Sequence, residues 1–179
     1  MKYFLDTEFI ERPNTIDLIS LGIKCEDGRS FYAESCCFDE RKAGFWVKQN
    51  VIQKLRWYGN PESTKGFCNA TIINDKTEVF GTLVFIRDKV REFIGDDIPE
   101  FWTYYGSYDW VVFCWLFGTL VYLPKGWPQY CNDLKQLADE VGCHTFERQE
   151  EDLHNALADA IWNEKFYEQL KGFEVEDWR

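Results

Sequence analysis

The feature that most constrains the fold of this chain is a change of hydrophobic period partway along it. From Tyr3 to Ala33 the apolar and aromatic residues come in short runs broken by turn chemistry. Tyr3-Phe4-Leu5-Asp6-Thr7-Glu8-Phe9 has no glycine or proline and reads as a first strand. Turn residues follow at Arg12-Pro13-Asn14, Ile16 to Ile23 reads as a second strand, Glu26-Asp27-Gly28 as a hairpin turn and Ser30 to Ala33 as a third strand. Sequential strands joined this tightly make an antiparallel meander. Further on, Val79, Leu83, Ile86, Val90 and Phe93 recur at steps of three and four, the spacing of an amphipathic helix, which Gly95 stops. Glu100 to Tyr105 predicts a fourth strand and Asp109 to Phe117, apolar nearly all round, a buried helix ending at Gly118. Gln129-Tyr130-Cys131 reads as a fifth strand. A helix with Leu134, Leu137, Ala138 and Val141 stops at Gly142, and a last one places Ala158, Trp162, Phe166 and Leu170 on one stripe. The order β-β-β-α-β-α-β-α-α predicts an α/β fold: a mixed five-stranded sheet whose first three strands form the antiparallel meander, flanked by helices.

At 179 residues the chain suits one domain, 1–179, and its 8 Trp, 9 Tyr and 15 Phe carry more buriable surface than a disordered protein would. The least regular stretch, Tyr58 to Lys76, reads as a loop insertion. A net charge of -11 excludes a protein that coats nucleic acid with a broad basic face, because phosphates must be neutralised by Lys and Arg. It does not exclude an enzyme that grips a chain end, where bound divalent cations supply the positive charge. The 7 cysteines are odd in number and lack a C-x-x-C pair, as expected of small buried hydrophobes in a reducing, cytoplasmic protein. No signal peptide fits the first residues, and the longest apolar stretch, Trp110 to Leu123, falls short of a membrane span.

The chemistry resides in three short motifs. Asp6 and Glu8 stand two apart on a strand, so both carboxylates share a face. Like charges that close are costly unless a proton or cation sits between them, and oxygen ligands suit Mg²⁺ or Mn²⁺. A solvated polar strand edge explains the pair equally well on its own. Asp109 follows Gly106-Ser107-Tyr108 at the start of the buried helix, with Ser107 placed to cap it. A carboxylate in a first helical turn is also plain dipole compensation. Tyr104, Tyr105, Tyr108 and Trp110 surround it and could stack on bases, or be core. In Asp152-Leu153-His154-Asn155-Ala156-Leu157-Ala158-Asp159-Ala160, the five-residue spacing does not put His154 and Asp159 on one helix face. It fits His154 on an incoming loop and Asp159 in the first turns of the helix.

Taken in order, these motifs resemble the DEDDh group of the DnaQ-like 3′-to-5′ exonucleases. Tyr3 to Glu11, Ile16 to Gly22 and Gly106-Ser107-Tyr108-Asp109 are similar to the mycobacterial polyadenylate-specific exoribonuclease family. The resemblance implies a ribonuclease H-like fold, with Asp6, Glu8, Asp109 and Asp159 as ligands of two Mg²⁺ or Mn²⁺ ions and His154 as general base. It implies hydrolysis of single-stranded RNA from its 3′ end to nucleoside 5′-monophosphates, an adenosine preference and a homodimer. By position Phe9, Ile10 and Tyr108 would line the terminal-nucleoside pocket, although Phe9 and Ile10 are equally suited to core packing. A DNA exonuclease, a non-catalytic nucleic-acid-binding module on the same fold, and a phosphatase or glycosidase using paired carboxylates remain as alternatives. The last leaves Asp109 and the His154–Asp159 element unexplained.

Overall fold

The computed structural model describes residues 1–59, 68–143, 145–146 and 153–173. The expected meander is present: β1 (Lys2–Arg12), β2 (Thr15–Cys25) and β3 (Ser30–Ser35) pair antiparallel in sequence order. A hairpin of β4 (Asn69–Ile73) and β5 (Lys76–Gly81) extends the sheet beyond β3, to which β5 is parallel. On the other side β6 (Glu100–Thr103) runs parallel to the start of β1, and the two-residue β7 (Asn132–Asp133) lies outside it. The sheet is therefore mixed and seven-stranded, in the order β4-β5-β3-β2-β1-β6-β7, and not five-stranded.

The extra strands arise where the period is misleading. Val79 stands four residues before Leu83 and mimics a helical step, yet it lies on β5 with 0% exposure. Thr82 ends that strand and caps α2 (Leu83–Ile94), its hydroxyl accepting from Phe85 N. β4 is an edge strand with Ile72 and Ile73 largely exposed, so it shows no buried face to detect. Of the stretch expected to be a loop insertion, residues 60–67 lie outside the described residues, and the later part holds β4 and the start of β5. Gln129 to Cys131 is not a strand; the pairing falls on Asn132 and Asp133 instead.

Both faces of the sheet are covered. Tyr3, Leu5, Phe31, Val79 and Phe101 meet Ile86, Val90 and Phe93 of α2 and Phe113 of α3 (Ser107–Leu116) in one continuous core. On the opposite face α5 (Ala156–Lys171) packs across β1 and β2, with Tyr167 against the Phe4 ring at 5.4 Å and Asn163 Nδ2 donating to Leu5 O at 3.1 Å. α4 (Leu134–Glu140) packs beside it through Leu134 and Ala138. A short helix, α1 (Phe45–Asn50), and a 3-10 turn at Ile52–Lys54 follow β3; no periodicity announces either.

The strands diverge at β1: one set continues through β2, the other begins with β6. Pairing with β6 covers only Lys2 to Phe4, so among the described residues the rest of β1 has no strand paired to it on that side. Crevices of this kind, at the carboxyl end of a strand where strand order reverses, are where open α/β sheets place ligands. Gly22 sits directly across from Asp6 on β2. A Cβ there would lie 2.1 Å from Ala156 O, so only glycine lets the start of α5 approach the sheet this closely. Gly22→Ala is expected to push α5 outward at a cost of about 1–3 kcal/mol. In a domain of this size that lowers Tm by roughly 2–12 °C. A melting curve superimposable on the wild type would show that the contact is not needed.

Candidate active site

Strand parity sets the first two carboxylates. Phe4 faces α5, so Asp6 and Glu8, two and four residues on, face it as well. α5 brings Asp159 to meet them: one carboxylate oxygen from each of Asp6, Glu8 and Asp159 lies within 4.8 Å of the others. The register between β1 and β2 slips between Glu8 and Phe9, a local irregularity of the sort often found beside functional sites.

Asp109 arrives from the other side of β1. Its Oδ1 accepts hydrogen bonds from Thr7 N at 2.8 Å and Thr7 Oγ1 at 2.7 Å. It thus takes up backbone that β6 stops short of covering. Asp109 is 8% exposed and its side chain is tied to β1, so dipole compensation within its own helix does not account for it. The helix cap differs from expectation: Gly106 is the N-cap of α3 and Ser107 the first helical residue. Gly106 N donates to Asp133 Oδ2, and a Cβ at this position would collide with the Thr103 side chain. Asp133 itself caps α4 through Lys135 N and Gln136 N, so one carboxylate joins the starts of two helices.

His154 lies on the loop just ahead of α5, as its spacing from Asp159 suggests, with φ of 64°. Asn155 caps α5 by accepting from Leu157 N and Ala158 N. The imidazole Nδ1 stands 3.9 Å from Glu8 Oε1, and the edge-on Trp46 ring lies 4.6 Å away, centroid to centroid. Lys54 Nζ donates to Leu153 O at 2.9 Å.

Burial, reinforced by the negative charges of Asp109, Asp159 and Glu8, holds the Asp6 carboxyl well above its usual range. Burial together with Asp159 and Asp109 pushes Glu8 up to about 8, with Lys54 opposing. Asp109 is raised by burial, against the hydrogen bonds from Thr7. Burial and then the Lys54 charge lower His154, leaving a neutral imidazole at neutral pH. A cluster of oxygen donors that resists ionisation for want of positive charge suits a hard divalent cation. Asp6, Glu8 and Asp159 are placed to hold one, with Asp109 beside them.

Of the aromatic and apolar candidates, Tyr108 is 48% exposed and its ring lies 5.9 Å from that of Phe9, next to the crevice. Ile10 is 1% exposed and packs with Ile19, Phe38, Ala43 and Val51, so core packing accounts for its side chain. Thr7, Trp46, Lys54 and Asp133 are parts of the site that sequence reasoning does not single out. Thr7 alone had a local signal, since it lies inside the Asp-x-Glu motif.

A family model described as the 3′-5′ exoribonuclease Rv2179c-like domain matches residues 1–170. The chain is 37% identical over 163 residues to the 3′-5′ exoribonuclease Rv2179c of Mycobacterium tuberculosis strain H37Rv, covering 89% of this chain and 87% of that protein. The same figures hold for 3′-5′ exoribonuclease MT2234.1 of strain CDC 1551.

The raised carboxylates give a signed expectation for pH. Between the ordinary Glu value of 4.5 and about 8, folded Glu8 holds a proton that the unfolded chain releases. Stability of the metal-free protein therefore falls as pH rises through that window. Thermal unfolding in chelator is expected to show this fall, with a shallower slope in Glu8→Gln. Added Mn²⁺ should raise Tm by an increment that grows with pH, because the cation displaces protons. An increment independent of pH would show the carboxylates already ionised.

Proposed function

Because the chain belongs to the Rv2179c-like 3′-5′ exoribonuclease domain family, we propose that it removes nucleoside 5′-monophosphates from the 3′ end of single-stranded RNA at the Asp6–Glu8–Asp109–His154–Asp159 site. The observation that carries this is the meeting of Asp6, Glu8 and Asp159 within 4.8 Å, with the His154 imidazole 3.9 Å from Glu8. A phosphatase or glycosidase would need only the carboxylate pair; here the loop histidine and α5 converge on it.

In this reading Asp6, Glu8, Asp159 and the Asp109 oxygen not held by Thr7 would hold the cations. Two divalent cations, Mg²⁺ or Mn²⁺, would supply charge stabilisation to the attacking and leaving oxygens of an in-line displacement. His154, kept neutral by burial and Lys54, takes the proton of the attacking water. Thr7 holds Asp109 in register with the strand that carries Asp6 and Glu8. Phe9 and Tyr108 flank the terminal nucleoside, with Ile10 forming the packed floor of β1 behind them. An adenosine preference, a homodimeric assembly and a cytoplasmic location complete the reading. The last is supported by seven free cysteines. No described helix is long and apolar enough to cross a membrane.

Digestion of 5′-labelled single-stranded oligoadenylate, beside oligouridylate and the DNA counterpart, with Mg²⁺, Mn²⁺ or chelator, tests it. A metal-dependent ladder shortening from the 3′ end of RNA is expected. Asp6→Ala should abolish both cleavage and the metal-induced rise in Tm. His154→Ala should lose on the order of 10² to 10⁴ in rate while keeping that rise. Equal digestion of DNA would make this a general exonuclease, and binding without cleavage a nucleic-acid-binding module.

A further inference from the structure

We propose that Lys54 is a positioning residue, which holds the His154 loop against the carboxylate cluster through its hydrogen bond to the Leu153 carbonyl. The inference rests on His154 being the proton acceptor, and concerns how that side chain is kept in place.

His154 sits in the left-handed region, uncommon for a residue with a Cβ although histidine enters it more readily than most. On its C-terminal side the Asn155 cap fixes the backbone to the first turn of α5. On its N-terminal side the carbonyl of Leu153 is held by Lys54 Nζ, from a segment 99 residues earlier. The imidazole is thus bracketed by one local anchor and one remote one, and Trp46, from the remote segment, closes against its ring at 4.6 Å.

The remote segment is itself unusually well fastened. Glu34 on β3 is 0% exposed, and its two oxygens accept from three successive backbone amides, Arg56 N at 2.6 Å, Trp57 N at 2.9 Å and Tyr58 N at 3.0 Å. Tyr32 OH donates to the same carboxylate at 3.0 Å. A carboxylate buried this completely persists only when its oxygens are satisfied, so the backbone immediately after Lys54 cannot drift without stripping partners from it. From the other end Val51, 2% exposed, fixes the segment into the small core of Ile10, Ile19, Phe38 and Ala43. Lys54 therefore projects from a segment clamped to the sheet at both ends, with Trp46 on the helix just before it, while the loop they touch carries a residue with a left-handed backbone. The Lys54 ammonium reaches the loop backbone, and its charge also acts on Glu8 and His154.

The test compares wild type, Lys54→Met and Lys54→Arg by two readouts. The first is the ¹H–¹³C spectrum of the imidazoles without RNA, recorded well above the pH range where imidazoles titrate so that loss of the Lys54 charge does not change protonation; the protein has 2 histidines, and His144→Gln assigns the pair. The Trp46 ring current displaces the His154 signal as long as the loop is seated. The second is kcat and KM on oligoadenylate. In Lys54→Met the His154 signal should move toward the free-imidazole position. Its kcat should fall about ten- to a hundredfold, with KM changed less than about twofold. Lys54→Arg, which keeps the donor, should recover most of both. An unmoved His154 signal in Lys54→Met would overturn the proposal. So would a raised KM at unchanged kcat, which would make Lys54 a contact to substrate phosphate. Should the wild type cleave no RNA, the functional reading fails by itself, and the His154 signal still decides the role of Lys54.

Discussion

Repulsion among Asp6, Glu8, Asp109 and Asp159 is the constraint around which the rest of the structure is arranged. Burial first, and then the charges of their neighbours, disfavour the ionised forms of Asp6 and Glu8, as their upward shifts express. Left to itself such a cluster would spread. What opposes spreading is that the four carboxylates come from three elements, each held by its own contacts. β1 is paired with β2 from Tyr3 to Arg12, with one slip between Glu8 and Phe9. α3 is pinned at its first turn by Asp109 to Thr7, and the loop before it by Asp133 to Gly106. α5 is drawn down by the bare surface of Gly22 and by the Asn163 bond to Leu5 O.

These anchors share a logic. Apart from the Gly22 approach, a polar group near the site satisfies the backbone of a neighbouring element. Thr7 N lies beyond the reach of β6 and finds a carboxylate; Leu5 O finds an amide on α5; the amides after Lys54 find Glu34. Buried backbone groups must be paired somewhere, and pairing them across elements turns an obligatory cost into fixed geometry. Removing one member would leave its partner unsatisfied as well as loosening the site, so such positions couple stability to site geometry.

Much of this was legible in the sequence, for reasons that can be stated residue by residue. Parity along Tyr3 to Phe9 places Asp6 and Glu8 on one face because a strand alternates strictly. The spacing of His154 and Asp159 separates loop from helix because it does not match a helical turn. What was hidden depends on contacts distant in sequence. β5 was absorbed into the helix that follows because Val79 precedes Leu83 by a helical step, and β4 escaped because an edge strand with Ile72 and Ile73 outward has no buried stripe. Ser107 reads as the cap of α3, but the cap is Gly106, whose amide donates to the Asp133 carboxylate 27 residues further on. Trp46 and Lys54 lie in a segment with no readable period, and they acquire meaning only from the loop they meet more than 90 residues later.

The charge balance fits the same picture. A chain with net charge -11 repels a polyanion over most of its surface, so productive contact must be small and must bring its own counter-charge. On the proposed reading, a site at the open end of β1, beside the Phe9 and Tyr108 rings, would offer a nucleoside flat apolar faces while its carboxylates gather cations for the phosphate. Lys54 illustrates the economy: its ammonium donates to the Leu153 carbonyl at the edge of the site, ordering the loop that carries His154. On the proposed reading the chain-end preference of the enzyme and its acidity are one property, because a surface without a basic track can engage an RNA only where a terminus enters the cation-loaded crevice.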